Sequence, residues 1–216
     1  MRFKCLVFDH DDTVVNSTRT IHFPSFQQYL DVCKPGRTIT YEDYLLKNFS
    51  PGFLEMCRQD YEMTDEDLET ELGFWQNFVR NHIPEAFSGI REIMLRQKAN
   101  GGINCVVSHS FRNSIERDYR ANDLPMPDDV YGWDYPPEQR KPNPYPLCMI
   151  MKKFNLAPDE ILVIDDLKPG YDMARACRVR FAAAGWAYDV PQIESFMRNN
   201  SDIYLKSVEE LSALVQ

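Results

Sequence analysis

Short apolar runs alternate along this chain with longer stretches whose apolar positions recur every three or four residues. The first run, at residues 3–8, predicts a buried strand. From about Ser17 to Ile83 no strand pattern follows. Inside that stretch Thr40-Tyr41-Glu42-Asp43 resembles a capping box, with Asp where Glu or Gln is usual. Thr64 precedes Asp65-Glu66-Asp67, which puts acids in a first helical turn. Leu68, Leu72, Trp75 and Val79 then repeat at helical spacing and predict one apolar face. After Pro84 the rhythm changes. Helices are expected at 90–99, 112–120, 144–154, 171–178, 193–198 and 208–215, and strands at 103–107, 130–133, 161–164, 181–184 and 203–205, with Gly101-Gly102 ending the first of these helices.

Strands that alternate with helices predict an α/β fold, a parallel sheet with helices on both faces. The helix-only stretch is expected as an insert: a core at 1–15 and 84–216, and a small all-helical cap at 16–83, above the sheet's carboxyl edge. Within the cap, Asn48-Phe49-Ser50-Pro51-Gly52-Phe53 is expected as a loop toward the catalytic floor.

With 216 residues there is room for one full core and a smaller inserted domain. The 44% hydrophobic and 26% charged content is that of an ordinary globular protein. No apolar stretch approaches the roughly 20 residues that cross a bilayer, and the amino terminus runs into a strand pattern without a signal-type apolar segment. The cysteines (Cys5, Cys33, Cys57, Cys105, Cys148, Cys177) are scattered without metal-type spacing. Cys5 and Cys105 fall inside strand runs, so buried thiols and a reducing, cytoplasmic setting are expected. The net charge of −9 disfavours nucleic acid or an anionic membrane as partner. It also means that an anionic substrate has to be attracted locally. Oligomeric state is not legible.

The chemistry concentrates where apolar runs stop. The first run ends in Asp9 and Asp11, two carboxylates with one residue between them, followed by Thr13. Carboxylates crowded at a strand's carboxyl end, where α/β folds bind ligands, repel one another by about 1 kcal/mol per pair at 4 Å in water and by more inside a protein. A cation is expected among them. Three further places repeat the signature: Ser108 after an apolar run, Lys141-Pro142-Asn143-Pro144 before a helix, and Asp165-Asp166 after Ile161-Leu162-Val163-Ile164. Each alone has an ordinary reading: a solvated acidic loop, a helix N-cap at Ser108 or Ser110, a surface lysine.

Together and in this order they resemble the haloacid dehalogenase-like hydrolase superfamily, in its branch with a helical cap after the first motif. The DxDxT motif stands as Phe8-Asp9-His10-Asp11-Asp12-Thr13-Val14, the Ser or Thr motif as Ser108, the Lys motif as Lys141, and the acidic pair as Asp165-Asp166. Phe181-Ala182-Ala183-Ala184-Gly185-Trp186 and the stretch 201–211 are similar to the family's closing elements. The resemblance spans roughly 1–15 and 84–216; the cap matches only in position and helical character. It implies a Rossmann-like core and a Mg²⁺-dependent phosphomonoester phosphatase acting on a small phosphorylated metabolite. Asp9 is implied as nucleophile, ionised near pH 7 and needing no general base, and Asp11 as general acid and base. Ser108 and Lys141 are implied as substrate-binding groups that hold the phosphoryl oxygens, and His109 with Ser110 is expected to line the phosphate pocket. Mg²⁺ is implied between Asp9, the Asp11 backbone carbonyl, Asp166 as direct ligand, and Asp165 as second ligand or outer partner.

A sugar-phosphate mutase on the same core and a non-catalytic metal-binding regulatory protein remain as alternatives. A dehalogenase is disfavoured because that branch lacks the second Asp. His10 stands where the family carries an apolar residue and is expected to be packed or hydrogen-bonded rather than titrating. His22, His82 and His109 form no ligand spacing, which disfavours zinc.

Overall fold

A computed structural model describes residues 3–215. The chain folds into two compact units, one that runs to Val15 and resumes at Glu85, and one formed by Asn16–Pro84.

The first unit is built on a parallel sheet of β1 (Cys5–Phe8), β2 (Ile103–Val107), β3 (Asp129–Tyr131), β4 (Ile161–Asp165), β5 (Arg180–Ala184) and β6 (Ile203–Leu205), in the order β3-β2-β1-β4-β5-β6. Each central strand reads as a continuous apolar run because helices cover both faces. Leu6, Phe8, Val106, Leu162, Ile164 and Ala182 share one buried cluster with Ile93, Ile115 and Leu211. Cys5, Val7, Cys105, Val163 and Phe181 alternate with them and are buried as well. Cys5 and Cys105 are thus buried free thiols. Chain order reverses direction across β1: β2 and β3 lie on one side, β4 to β6 on the other. A sheet of this kind opens its ligand crevice at the carboxyl ends of the strands flanking such a switch, here β1 and β4.

The second unit consists of a short π-helical turn (Thr18–His22) and helices α1 (Phe23–Cys33), α2 (Tyr41–Phe49), α3 (Phe53–Asp60) and α4 (Asp65–Asn81). Its core is aromatic: Phe26 packs against Tyr29, Tyr44, Phe53 and Tyr61, with ring centroids 5.4–6.3 Å apart. The first unit continues with α5 (Ile90–Ala99), α6 (Arg112–Ala121), α7 (Tyr145–Phe154), α8 (Lys168–Ala176), α9 (Pro191–Asn200) and α10 (Val208–Leu214). No helix among the described residues is long and apolar enough to cross a membrane.

Several elements differ from the sequence expectation. Helix α8 starts at Lys168, a turn before the expected 171, because Pro169 sits in its first turn, where a missing N–H costs nothing. Of the stretch Asn48 to Phe53, Asn48 and Phe49 close α2 and Phe53 opens α3, leaving only Ser50-Pro51-Gly52 as connection. The capping boxes are exchanged. Thr64 and Asp67 form the full reciprocal pair. At Thr40 the hydroxyl accepts from Asp43 N but donates to the Asp43 carboxylate, so the return bond to the backbone is not made.

The apolar stripe of α4 contains an acid. Leu68, Leu72 and Trp75 are half-buried, whereas Glu71, on the same face, is only 7% exposed. Burial pushes its carboxyl from the usual 4.5 up to about 7, with His22 pulling weakly the other way. The folded chain therefore holds this proton where the unfolded chain has released it, and stability falls as pH rises from about 4.5 to 7. A shift of this size amounts to about 3 kcal/mol. Glu71→Gln is accordingly expected to raise the melting temperature clearly at pH 8 and hardly at pH 4, as read by thermal unfolding at both values.

Candidate active site

Asp9 follows β1, and its N–H still donates to the Ile164 carbonyl of β4 (2.8 Å), so the strand pairing itself carries the residue to the crevice. The chain then turns sharply. Asp12 adopts φ +56°, a left-handed conformation that Asp tolerates better than most residues. Its N–H donates to the Val15 carbonyl, closing a small loop around Thr13 and Val14 directly after Asp11. From the neighbouring strand end come Asp165, the last residue of β4, and Asp166.

One carboxylate oxygen each from Asp9, Asp165 and Asp166 lies within 4.8 Å of the other two. All three residues are at most 5% exposed. Lys141, on the segment before α7, is equally buried and enters the same cluster. Its Nζ donates to Asp165 Oδ2 at 2.7 Å and stands 2.8 Å from Asp9 Oδ1. The latter contact is a buried ion pair. Burial works against the Lys141 ammonium, but the Asp165 and Asp9 carboxylates outweigh it and hold the group above the usual lysine range.

One ammonium does not neutralise three carboxylates. Burial pushes Asp165 up to about 7 despite the pull of Lys141, and the charge of Asp9 adds to the rise. Asp166 is raised strongly, first by burial and then by the charges of Asp9, Asp165 and Asp12. Such a cluster takes up either protons or a cation. Hard carboxylate oxygens at this spacing, with more negative charge than the one ammonium offsets, fit a divalent ion.

The cradle is specific at Gly170. A Cβ there would come within 2.1 Å of Asp165 Oδ2, so only glycine lets α8 start beside that carboxylate. Gly170→Ala is expected to push Asp165 off Lys141. Binding of a divalent cation should weaken at least tenfold in titration calorimetry, and overpacking should cost about 1–3 kcal/mol of stability.

The remaining expected residues fall nearby. Asp11 does not join the carboxylate cluster with its side chain. Its Oδ2 accepts from the hydroxyls of Ser108 (3.2 Å) and Ser110 (2.7 Å). Neither serine caps α6. The N–H of Arg112 in its first turn donates to Asp134 Oδ2 instead, at 2.7 Å. His109 is exposed and donates from Nε2 to the Lys141 carbonyl at 2.8 Å. Its ring meets Trp133 edge-on, with centroids 5.6 Å apart, and desolvation together with the charge of Lys141 pushes it down to about 4, so it is neutral at pH 7.

His10 points away from the carboxylates. It is 1% exposed, donates from Nε2 to Asp118 Oδ2 at 3.1 Å and stacks on Tyr119. Arg117 completes the Asp118 environment from the solvent side. The expectation of a packed histidine therefore holds, and its partner on α6 had no signal in the sequence. Equally unforeseen is Tyr188, whose hydroxyl donates to Asp166 Oδ2 at 2.8 Å. It follows Gly185 and Trp186 in the loop after β5, and no spacing rule marks it.

Likeness to known proteins shows in both sequence and fold. The family model described as haloacid dehalogenase-like hydrolase matches residues 6–184. Among curated proteins none matches the chain. Among solved structures, a predicted phosphoglycolate phosphatase from Haemophilus somnus is 21% identical, with a TM-score of 0.77 and coverage of 100% of this chain and 99% of the other. A family hydrolase from Deinococcus radiodurans with bound phosphate and sodium is 18% identical (TM-score 0.73, coverage 99% and 95%). A mutant of CbbY from Rhodobacter sphaeroides in complex with xylulose-1,5-bisphosphate is 16% identical (TM-score 0.72, coverage 97% and 96%). At such identities the likeness is one of fold, whereas the family match covers most of the sequence, and the chain belongs to the haloacid dehalogenase-like hydrolases.

Proposed function

We propose that this chain is a Mg²⁺-dependent phosphomonoester phosphatase that acts on a small phosphorylated metabolite through an aspartyl-phosphate at Asp9. The observation that carries this reading is the meeting of Asp9, Lys141, Asp165 and Asp166, from three separate parts of the sequence, in one buried cluster. Asp9, Asp165 and Asp166, with the Asp11 backbone carbonyl, are the groups to hold the ion. Mg²⁺, when bound, neutralises charge on the phosphoryl oxygens and on the carboxylates around it.

The residues divide the work as follows. An Asp9 carboxylate oxygen attacks phosphorus, and the bond from phosphorus to the ester oxygen breaks. Asp11 gives its proton to that leaving oxygen, then takes one from the water that attacks the aspartyl-phosphate, which returns Asp9 and releases phosphate. Ser108 and Ser110 hold the Asp11 carboxylate on one oxygen and so fix its direction. Lys141 supplies a charge for the phosphoryl oxygens, positioned in advance by Asp165. The neutral His109 beside it offers a ring to the substrate. The phosphate and the sugar bisphosphate in two of the similar structures support a phosphorylated small molecule as substrate. To the Asn16–Pro84 unit we assign the choice among such esters, and to the six free thiols a cytoplasmic setting.

A panel of phosphorylated metabolites, assayed for phosphate release with and without Mg²⁺, tests the proposal. Release from at least one ester, dependent on Mg²⁺, is expected. Release that is unaffected by chelation contradicts it, as does none across a broad panel.

A further inference from the structure

Four residues near the carboxylate cluster close a ring of hydrogen bonds that the catalytic steps above do not use. Thr13 Oγ1 donates to Asp166 Oδ1 at 3.1 Å. Tyr188 Oη donates to Asp166 Oδ2 at 2.8 Å and lies 3.2 Å from the Asp166 carbonyl. Trp186, two residues before Tyr188, donates from Nε1 to the Thr13 carbonyl at 3.2 Å. The loop after β5 therefore grips the loop after β1 and the acid after β4 at once.

We propose that Tyr188 is a positioning residue for the divalent cation, holding the Asp166 carboxylate in the orientation in which it binds the ion. The inference rests on the proposed metal-dependent reading and adds a residue to it. A carboxylate on a single methylene rotates freely about its last bond. Here a donor on each oxygen, both rooted in the same ring, stops that rotation. Asp166 is 3% exposed, so water cannot easily replace a lost donor. Partners of this kind orient metal ligands, and their loss typically weakens metal binding 10–100-fold.

Tyr188→Phe removes one oxygen and keeps the ring. In titration calorimetry of the full chain with Mg²⁺ alone, the variant is expected to bind about 10–100-fold more weakly than the wild type. Its melting temperature without metal should stay within a few degrees, and its rate should recover at saturating Mg²⁺. Equal Mg²⁺ affinity in wild type and variant overturns the role of Tyr188 and leaves the metal-dependent reading intact. A wild type that binds no Mg²⁺ overturns both. Should Tyr188→Phe lose its fold, Trp186→Phe carries the test, since it opens the same ring one bond further away. A several-fold weaker Mg²⁺ affinity is expected there, and an unchanged one overturns the proposal.

Discussion

Replacing Asp9 by Asn is expected to abolish phosphate release, by about a thousandfold or more, without unfolding the chain. The amide has nearly the shape of the carboxylate but is a far poorer nucleophile, and loss of a covalent nucleophile reduces turnover to whatever positioning alone supplies. Stability should not suffer. Asp9 stands 2.8 Å from Lys141 but also within 4.8 Å of two further carboxylates, while Lys141 retains its aligned bond to Asp165. Removing one negative charge relieves repulsion that at 4 Å is worth about 4 kcal/mol per pair under an effective protein dielectric. The melting temperature of the metal-free variant should therefore equal or exceed that of the wild type, while phosphate release disappears. A variant that retains turnover would remove Asp9 from the chemistry.

Lys141→Met should damage both activity and fold. The ammonium is almost fully buried between Asp9 and Asp165. Without it the cluster keeps its carboxylates and loses the ammonium that pairs with two of them. Breaking a buried pair from one side costs about 3–5 kcal/mol, because the stranded charge remains out of water. Loss of a preorganised charge facing the phosphoryl oxygens costs about 10²–10³ in rate. The two effects separate under metal. Mg²⁺ offsets stranded carboxylates but does not replace the lysine facing the substrate. The urea midpoint of Lys141→Met should thus recover markedly with Mg²⁺, while its rate does not.

Much of the fold and of the site was legible because the signals are periodic or clustered. Apolar runs gave the strands β1, β2, β4 and β5 nearly to the residue, since a strand buried on both faces is apolar almost throughout; Asn104 in β2 is buried too, its amide donating to the Met94 carbonyl at 2.9 Å. The carboxylates Asp9, Asp165 and Asp166 announced themselves by ending such runs, and Lys141 by its proline-flanked place before a helix. What stayed hidden depends on contacts between distant residues. Asp118 looks like an ordinary acid in a polar helix until His10 is found against it. Glu71 falls within the apolar arc of α4, but its composition reads as a solvated position. The steric demand for glycine at 170 stayed hidden, because it comes from the Asp165 carboxylate. Tyr188 belongs to no motif spacing, and only the folded loop brings it to Asp166; that Ser110 would bond Asp11 was likewise not legible. The helical unit was legible as helical, but its aromatic packing follows no heptad or strand rule that assigns partners.

The most direct measurement uses beryllofluoride, which bonds to a carboxylate oxygen as a phosphoryl group does but is not hydrolysed. In fluorine NMR of the full chain with Mg²⁺, bound signals distinct from the free ion are expected, lost in Asp9→Asn and on chelation, and retained in Asp11→Asn. Bound signals that survive Asp9→Asn, or none in the wild type with Mg²⁺, would contradict the assignment of Asp9 as the attacking carboxylate beside a divalent ion.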